Sequence, residues 1–289
     1  MDESLRRKLI AAQVSEISEH CVYRAIAQRL KDPNNRATME RIADDERRHY
    51  DFWASHTGAA PPPRRLWVWI YSVLARLLGL TFAVKLMERG EQGAQANYAP
   101  VIAAIPEAAA VLRDEQEHER KLLAMIDEER LRYVGSVVLG LSDALVELTG
   151  GLAGLTLALQ QSRLIAAIGL ITGLAAAMSM AASEYLSTKA DQSDHKTPVK
   201  SALYTGVAYL ATVAVLIAPF LLLGNPLGAL GLTIALALLI IFAFAYYVAV
   251  ARDLPLWHRF GEMAGLSLGV AAVSFVIGYV VRALFGVDV

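Results

Sequence analysis

Two short motifs in the first part of the chain combine a carboxylate with an imidazole. They are Glu46-x-x-His49 and Glu115-x-x-His118, and this spacing places both side chains of each pair on one face of a helix. Glu16 and Glu91, on two other predicted helices, each lie seven residues before a tyrosine. Two Glu-x-x-His motifs with one glutamate from each of two further helices form the ligand set of a di-iron or di-manganese centre in a helical bundle.

The competing interpretation is a set of solvated helical faces with ion pairs one turn apart. One Glu-x-x-His motif alone would not exclude it, whereas six residues on four helices favour a metal centre. Oxygen donors suit Mn or Fe(III), and the imidazoles suit Fe(II). Four other side chains are expected at the surface: Glu19, His20, Glu117 and Glu119.

Four helices must position these ligands. Apolar residues recur at helical spacing from Leu5 to Leu30 and from Met39 to Trp53. A third helix is expected over KLMERGEQGAQANYAPV, and a fourth from about Pro106 to Ile126. With a long connection between the second and third, this order predicts a four-helix bundle with one crossover, the ferritin-like topology, over residues 1–130.

The long connection contains three prolines and then an apolar segment over residues 66–87. We do not assign it as a membrane span, because Arg76 would lie in the middle of the bilayer and the third bundle helix would be placed on the opposite side from the others. Two interpretations stay open. Trp67, Trp69 and Tyr71 suit a helix on the membrane surface, and the alternative is a helix packed on the bundle.

The repeated helix pair resembles the rubrerythrin branch of the ferritin-like family over roughly residues 5–128. In that branch a helix with a glutamate and then an aromatic residue precedes a Glu-x-x-His helix, twice. The resemblance implies a di-iron centre, with Mn as the alternative metal. It also implies an extra carboxylate one turn before Glu91, so that Glu88 is a candidate ligand, with a bystander role equally open.

The distribution of charge divides the chain into two parts. Charged side chains occupy 40 of the first 132 positions and 15 of the remaining 157. A soluble domain followed by a membrane domain over residues 131–289 is therefore expected, and the whole chain is expected to be all-α. Five apolar stretches are long enough to span a bilayer. They lie near 133–157, 163–187, 201–224, 227–250 and 262–285.

Composition also excludes several classes of protein and indicates an orientation. A formal net charge of −1 gives no electrostatic basis for nucleic-acid binding. A lone Cys21 excludes a disulfide framework, a cysteine-ligated zinc site and a CxxC redox pair. The first residues lack the apolar run of a cleavable signal, and Lys and Arg concentrate in the second and fourth connectors. The N-terminal domain is therefore expected in the cytoplasm and the C-terminus outside.

Ionisable side chains inside membrane spans are costly and indicate function. Asp143 and Glu147 lie one turn apart in the first predicted span, and Met180 and Glu184 lie one turn apart in the second. We take these four as candidates for a transport pathway. For Met180 alone, simple packing is the competing explanation.

The first two spans resemble those of the vacuolar iron transporter family, most strongly over residues 135–191. The matching segments are VVLGLSDALVELTGGLAGLTLAL and GLITGLAAAMSMAASEYLSTKAD. The resemblance implies that Asp143 is a pore aspartate and Met180 a pore methionine. The chain departs from the family in two places. Thr172 stands where family members carry a carboxylate, for which Glu147 or Glu184 could compensate, and only about 13 residues separate spans two and three.

Together the two parts resemble the erythrin–vacuolar iron transport fusion family, the bacterial membrane-bound ferritins. That resemblance implies export of cytoplasmic Fe(II), with Mn(II) as an alternative cargo, across a bacterial inner membrane. Proton exchange at the carboxylates is expected, as is a homodimer, because five spans are few for a complete pathway. Two glycine motifs, one at Gly150 and Gly154 and one at Gly169 and Gly173, would let helices approach closely.

Two other functions compete with transport. One is a membrane-anchored di-iron oxidase or peroxidase, although the rubredoxin-type cysteines that pass electrons in rubrerythrin are missing. The other is a metal sensor or structural membrane protein. Neither requires carboxylates inside the spans. No catalytic residue is assigned, and ferroxidase activity in the bundle stays open.

Overall fold

The computed structural model describes residues 2–95, 98–124, 133–191 and 196–285. Within these ranges the chain is helical and has no β-strand, which confirms the all-α class. It divides into two compact units, residues 1–128 and 129–289.

The first unit begins with two helices of 25 residues each, α1 (Glu3–Ala27) and α2 (Pro33–Thr57). The start of α2 is fixed by Asp32, whose carboxylate accepts hydrogen bonds from two backbone N–H groups of the first turn at 2.7 and 3.0 Å. Its end is fixed by Gly58, which adopts the left-handed conformation at a φ of 64°. The remaining helices are α3 (Arg65–Leu78), α4 (Leu80–Gln95), α5 (Tyr98–Ala104) and α6 (Ala108–Ala124).

Four of these helices, α1, α2, α4 and α6, share one apolar cluster. Its members include Tyr23, Ile42, Met87 and Leu122. A second cluster lies towards the other end of α1 and α2, and it contains Leu9, Trp53 and Val111. The stretches of α1, α2 and α6 between the two clusters carry the predicted metal ligands.

The apolar segment 66–87 forms parts of two helices that meet at Gly79, where φ is 100° and ψ is 159°. Only glycine adopts such a conformation readily. At 14 residues, α3 is about 21 Å long, which is too short for a bilayer core of about 30 Å. Trp67, Val68 and Tyr71 of α3 pack against the first apolar cluster, so one face of α3 is packed on the bundle. The third helix expected from the sequence overlaps both α4 and α5.

The second unit contains five helices that are long and apolar enough to cross a membrane, as expected. They are α7 (Val134–Leu159), α8 (Ser162–Ala190), α9 (Pro198–Leu222), α10 (Pro226–Arg252) and α11 (Leu256–Phe285). The largest difference from the predicted bounds is in α11. It begins at Leu256, directly after Pro255, rather than near residue 262, because the segment assigned to the connector continues the helix.

The helix α7 packs against all four other helices of the second unit. Glycines bring α7 close to the backbones of two of these helices, α9 and α11. Gly140 faces the backbone of Thr205 on α9, and Gly154 faces those of Ser274 and Gly278 on α11. The predicted close approach therefore occurs at Gly154, and it is made within one chain.

We expect Gly278→Ala to destabilise the second unit. An added methyl group would overlap the carbonyl oxygen of Gly154, so two backbones would have to separate, at a cost of about 1–3 kcal/mol. Gly265→Ala on the same helix is the matched control, because a methyl group there meets no atom within 4 Å. Thermal unfolding in detergent should give a lower melting temperature for Gly278→Ala only. Equal melting temperatures would show that the helices separate without cost.

Candidate functional site

Helices α1, α2 and α6 bring four of the predicted metal ligands into one buried cluster. Glu16, Glu46, His49 and Glu115 each offer a ligand atom, and these atoms lie within 4.8 Å of one another. The cluster lies on the helix stretches between the two apolar clusters of the first unit, where water cannot neutralise its charges. The structure brings these four predicted ligands together, and their role in binding a metal ion stays a prediction.

One nitrogen of His49 faces three carboxylates. Its Nδ1 atom lies 3.1 Å from Glu115 Oε1, 3.3 Å from Glu46 Oε2 and 3.5 Å from Glu16 Oε2. A ring nitrogen carries at most one hydrogen, so it cannot donate to all three. Glu16 Oε2 and Glu115 Oε1 are buried and accept no hydrogen bond from any residue that the structure describes. Unsatisfied buried oxygens that converge on one point fit a metal cation, which would accept electron pairs from all four residues.

Glu46 connects the two histidines. One of its oxygens faces His49, and the other lies 3.0 Å from Nδ1 of His118. The two imidazole rings are stacked with their centroids 5.8 Å apart. A carboxylate with one oxygen towards each imidazole has the arrangement of a ligand that bridges two metal ions.

Two aspartates that the sequence analysis did not select hold the outer nitrogens of the histidines. His49 Nε2 lies 3.3 Å from Asp114 Oδ2, and His118 Nε2 lies 3.0 Å from Asp45 Oδ2. Each histidine thus pairs with the aspartate of the other motif. Such outer carboxylates fix the orientation of the rings, so that Nδ1 of each histidine faces the carboxylate cluster. The sequence signal was available, because both motifs read Asp-Glu-x-x-His.

Trp53 is a third residue that the sequence analysis did not connect with the site. Its indole N–H donates a hydrogen bond of 3.1 Å to Glu16 Oε1, and its side chain is fully buried. This bond orients the Glu16 carboxylate and leaves the second oxygen facing His49.

The expectations for the other glutamates of the first unit have three different outcomes. The side chains of Glu88 and Glu91 lie outside the described part of the structure, so their roles stay predictions. The expectation that Glu19 lies at the surface is wrong, because its side chain is buried on α1. Glu117 and Glu119 are exposed on α6 as expected.

The buried carboxylates favour their protonated forms. Burial raises the pKa of Glu16 to about 7, and the negative charge of Glu46 contributes to the rise. Burial raises the pKa of Glu115 as well. For His118, burial alone would lower the pKa, but the hydrogen bonds to Glu46 and Asp45 and the charge of Glu46 raise it to about 9. Without metal, the positive charge of protonated His118 therefore offsets part of the negative charge of the carboxylates.

We expect the metal-free first unit to lose stability as the pH rises from about 6 to about 9. Glu16 and His118 both have a pKa above the ordinary values of 4.5 and 6.5, so the folded state binds more protons than the unfolded state. That stabilisation is complete below the ordinary values and is lost as the pH passes through about 7 and about 9. The melting temperature should fall by roughly 5–10 °C.

Tryptophan fluorescence of chelator-treated protein measures this, because three of the four tryptophans lie in the first unit. His118→Gln should flatten the upper part of the pH dependence. Metal-loaded protein should show the opposite trend, since metal binding requires deprotonated ligands. A melting temperature that rises with pH in metal-free protein would contradict the assignment.

In the second unit, the three carboxylates of the predicted pathway lie at three levels along α7. Tyr209 on α9 donates a hydrogen bond of 2.6 Å to Glu147. Ser136, near the start of α7, donates a hydrogen bond of 2.6 Å to Glu184 on α8. Asp143 is half-buried, between these two levels.

The Ser136–Glu184 hydrogen bond sets the register of α7 and α8, which run antiparallel because only two residues join them. Measured along the helix axis from this bond, Met180 lies about 6 Å deeper, Asp143 about 10 Å and Glu147 about 16 Å. The half-buried side chain of Met180 packs against the apolar core of the unit. The four predicted residues therefore form a series in depth.

A cavity of about 450 Å³ lies at the deep end of this series, between α7, α8 and α11. Its walls are mostly glycine and aliphatic side chains, and its polar side chains are those of Glu147, Thr172 and Ser274. Thr172 and Glu147 thus lie at the same level. Glu147 therefore faces the same cavity as Thr172, and its role as the replacement carboxylate stays a prediction.

Comparison with known protein families gives one match. Residues 134–196 match the VIT family, and this range contains α7 and α8. The match and the five apolar helices support a VIT-type membrane domain in a multi-pass membrane protein, and they suggest transport of a metal ion. No curated protein sequence matches the chain.

Proposed function

We propose that this chain exports Fe(II) from the cytoplasm, with Mn(II) as an alternative cargo, in exchange for protons. The first unit captures the metal, and the second conducts it across the membrane. The observation that carries the proposal is that the VIT family match covers the two helices on which Asp143, Glu147, Met180 and Glu184 lie.

The capture step rests on the buried cluster of the first unit. Three carboxylates surround His49, and two of them have an oxygen that accepts no hydrogen bond within the described part of the chain. A divalent cation would stabilise this environment. We propose that Glu46 bridges two metal ions, one beside each histidine, in a ferritin-like di-iron arrangement. Glu91, and Glu88 as an additional ligand, would complete the set from α4.

The conduction step rests on the depth series. In the orientation that the basic connectors favour, Glu184 lies nearest the cytoplasm, followed by Met180, Asp143 and Glu147. One thioether lies among three carboxylates along this path. That combination of ligands suits Fe(II) better than hard ions such as Mg²⁺. A carboxylate that releases its metal ion takes up a proton, which links outward metal movement to inward proton movement.

Glu147 is proposed to take the role of the carboxylate that family members carry at the position of Thr172. The two residues face one cavity, and Tyr209 holds the Glu147 side chain by a hydrogen bond. Glu184 is the weaker candidate, because Thr172 lies twelve residues before it on α8, about 18 Å along the axis. We also propose that two copies assemble, since five spans in one chain enclose little space for a pathway.

The test is transport by the full chain in liposomes. An Fe(II)- or Mn(II)-sensitive dye and a pH-sensitive dye inside the vesicles report metal and proton movement together. We expect metal movement that accelerates with an opposing proton gradient and stops when the gradient is reversed. Vesicles that show no metal movement under either gradient would overturn the proposal.

The second candidate function, a membrane-anchored oxidase or peroxidase, is favoured by the same buried Glu and His cluster. It predicts consumption of oxygen or peroxide by the iron-loaded protein without metal movement across the vesicle membrane. Measuring oxygen and peroxide in the liposome experiment distinguishes the two functions.

A further inference from the structure

The helix α3 has a second apolar face that does not pack on the first unit. Trp67, Val68 and Tyr71 point into the bundle, whereas a stripe at helical spacing lies on the other side. This outer stripe consists of Leu66, Trp69, Ile70, Val73 and Leu77. Leu66, Trp69 and Leu77 are 71%, 63% and 65% exposed, respectively.

Every charged side chain in the stretch of sequence around the outer stripe is positive. No Asp or Glu occurs between Asp51 and Glu88, whereas Arg64, Arg65 and Arg76 lie at the two ends of α3 and are exposed. Exposed apolar side chains flanked only by arginines match an anionic lipid surface, in which the apolar groups enter the acyl boundary and the guanidinium groups meet the headgroups.

We propose that the outer stripe of α3 docks on the anionic surface of a lipid bilayer. The second unit places this chain at a bilayer independently of α3, because it contains five helices that are long and apolar enough to span a membrane. At about 21 Å, α3 is long enough to lie along the interface but too short to cross it. Trp69, near the middle of the stripe, suits the headgroup level, where an indole keeps its apolar ring in lipid and its N–H in water. The proposal does not depend on the transport function.

The alternative occupants of the stripe are a second copy of the chain and another protein. A fluorescent label distinguishes them from lipid. In a Cys21→Ser background, Leu66→Cys carries an environment-sensitive dye, and the full chain is reconstituted into vesicles with about one third anionic lipid. Ala37→Cys, exposed on α2, is the matched control. Quenching is compared for spin-labelled lipid and for iodide in the water.

We expect lipid quenching at residue 66 at least roughly twofold greater than at residue 37, and iodide quenching correspondingly weaker. Replacing Arg64, Arg65 and Arg76 by Ser, or omitting anionic lipid, should reduce the lipid quenching. Strong iodide quenching with no lipid quenching would overturn the proposal, because the stripe would then face water. Protection from both quenchers would overturn it equally, because a protein surface would then cover the stripe.

Two additions keep the result interpretable. The thermal unfolding transition of the labelled protein, compared with that of the Cys21→Ser background, reports whether the first unit is folded. Should Leu66→Cys fail that check, Leu77→Cys at the other end of the stripe takes its place. Quenching by spin-labelled lipid and by iodide is interpreted at residue 77 as it is at residue 66.

Discussion

Replacing Asp143 by Asn should abolish metal transport by the full chain while leaving metal binding by the first unit unchanged. Asparagine keeps the size of the side chain but can neither carry charge nor exchange a proton. Loss of a charged partner in a low-dielectric environment costs about 3–5 kcal/mol. The transport rate should therefore fall by at least roughly 100-fold.

The measurement is metal and proton movement in the liposome experiment, with bound metal counted separately. Asp191→Asn is the matched control, because this aspartate is exposed at the end of α8. It should transport at the rate of the unchanged protein. If the Asp143→Asn protein transports as fast as its control, Asp143 is not part of the pathway. The proposal of conduction along α7 then loses its main support.

Changing Glu46 and Glu115 together to Gln should abolish metal binding by the first unit. Glu46 is the proposed bridging carboxylate, and Glu115 Oε1 lies 3.1 Å from Nδ1 of His49. Their loss leaves His49 and His118 with no charged oxygen from the two motif glutamates. Metal analysis of the purified full chain should show a loss of about two ions per chain, as a dinuclear site implies. Glu119→Gln, exposed one turn from Glu115, should retain the full content.

The same double variant separates capture from conduction. At limiting metal concentration its transport should be slower than that of the unchanged protein, and at saturating concentration the difference should disappear. Unchanged metal content would contradict the site. Unchanged transport at every concentration, despite lost metal, would show that the first unit does not supply the pathway.

The sequence predicted the helical class, the five apolar helices and four residues of the buried cluster because each depends on local spacing. A Glu-x-x-His pair lies on one helix, so its geometry follows from the helical repeat. Asp45 and Asp114 were missed because each acts across the bundle on the histidine of the other motif. That crossing depends on how α2 and α6 face one another, which no local pattern encodes.

The sequence also could not predict which face of α3 packs on the bundle and which face is exposed. Apolar residues occupy both sides of this helix, so the pattern suited a membrane surface and a packed helix equally. Burial in the structure divides them: Trp67 packs inward while Trp69 is exposed. Glu19 shows a related failure, because a glutamate three residues after Glu16 was assigned to the surface by residue type alone.

The glycine contacts of α7 have a mechanical consequence. At Gly140 and Gly154 this helix touches neighbouring backbones, which cannot change shape, so α7, α9 and α11 behave as a stiff frame. The nearest atoms to the glycines of α8, Gly169 and Gly173, belong to side chains rather than to a backbone. The helix α8 is therefore held less rigidly than this frame, and a shift of α8 would break the Ser136–Glu184 hydrogen bond and move Met180 and Glu184 relative to Asp143.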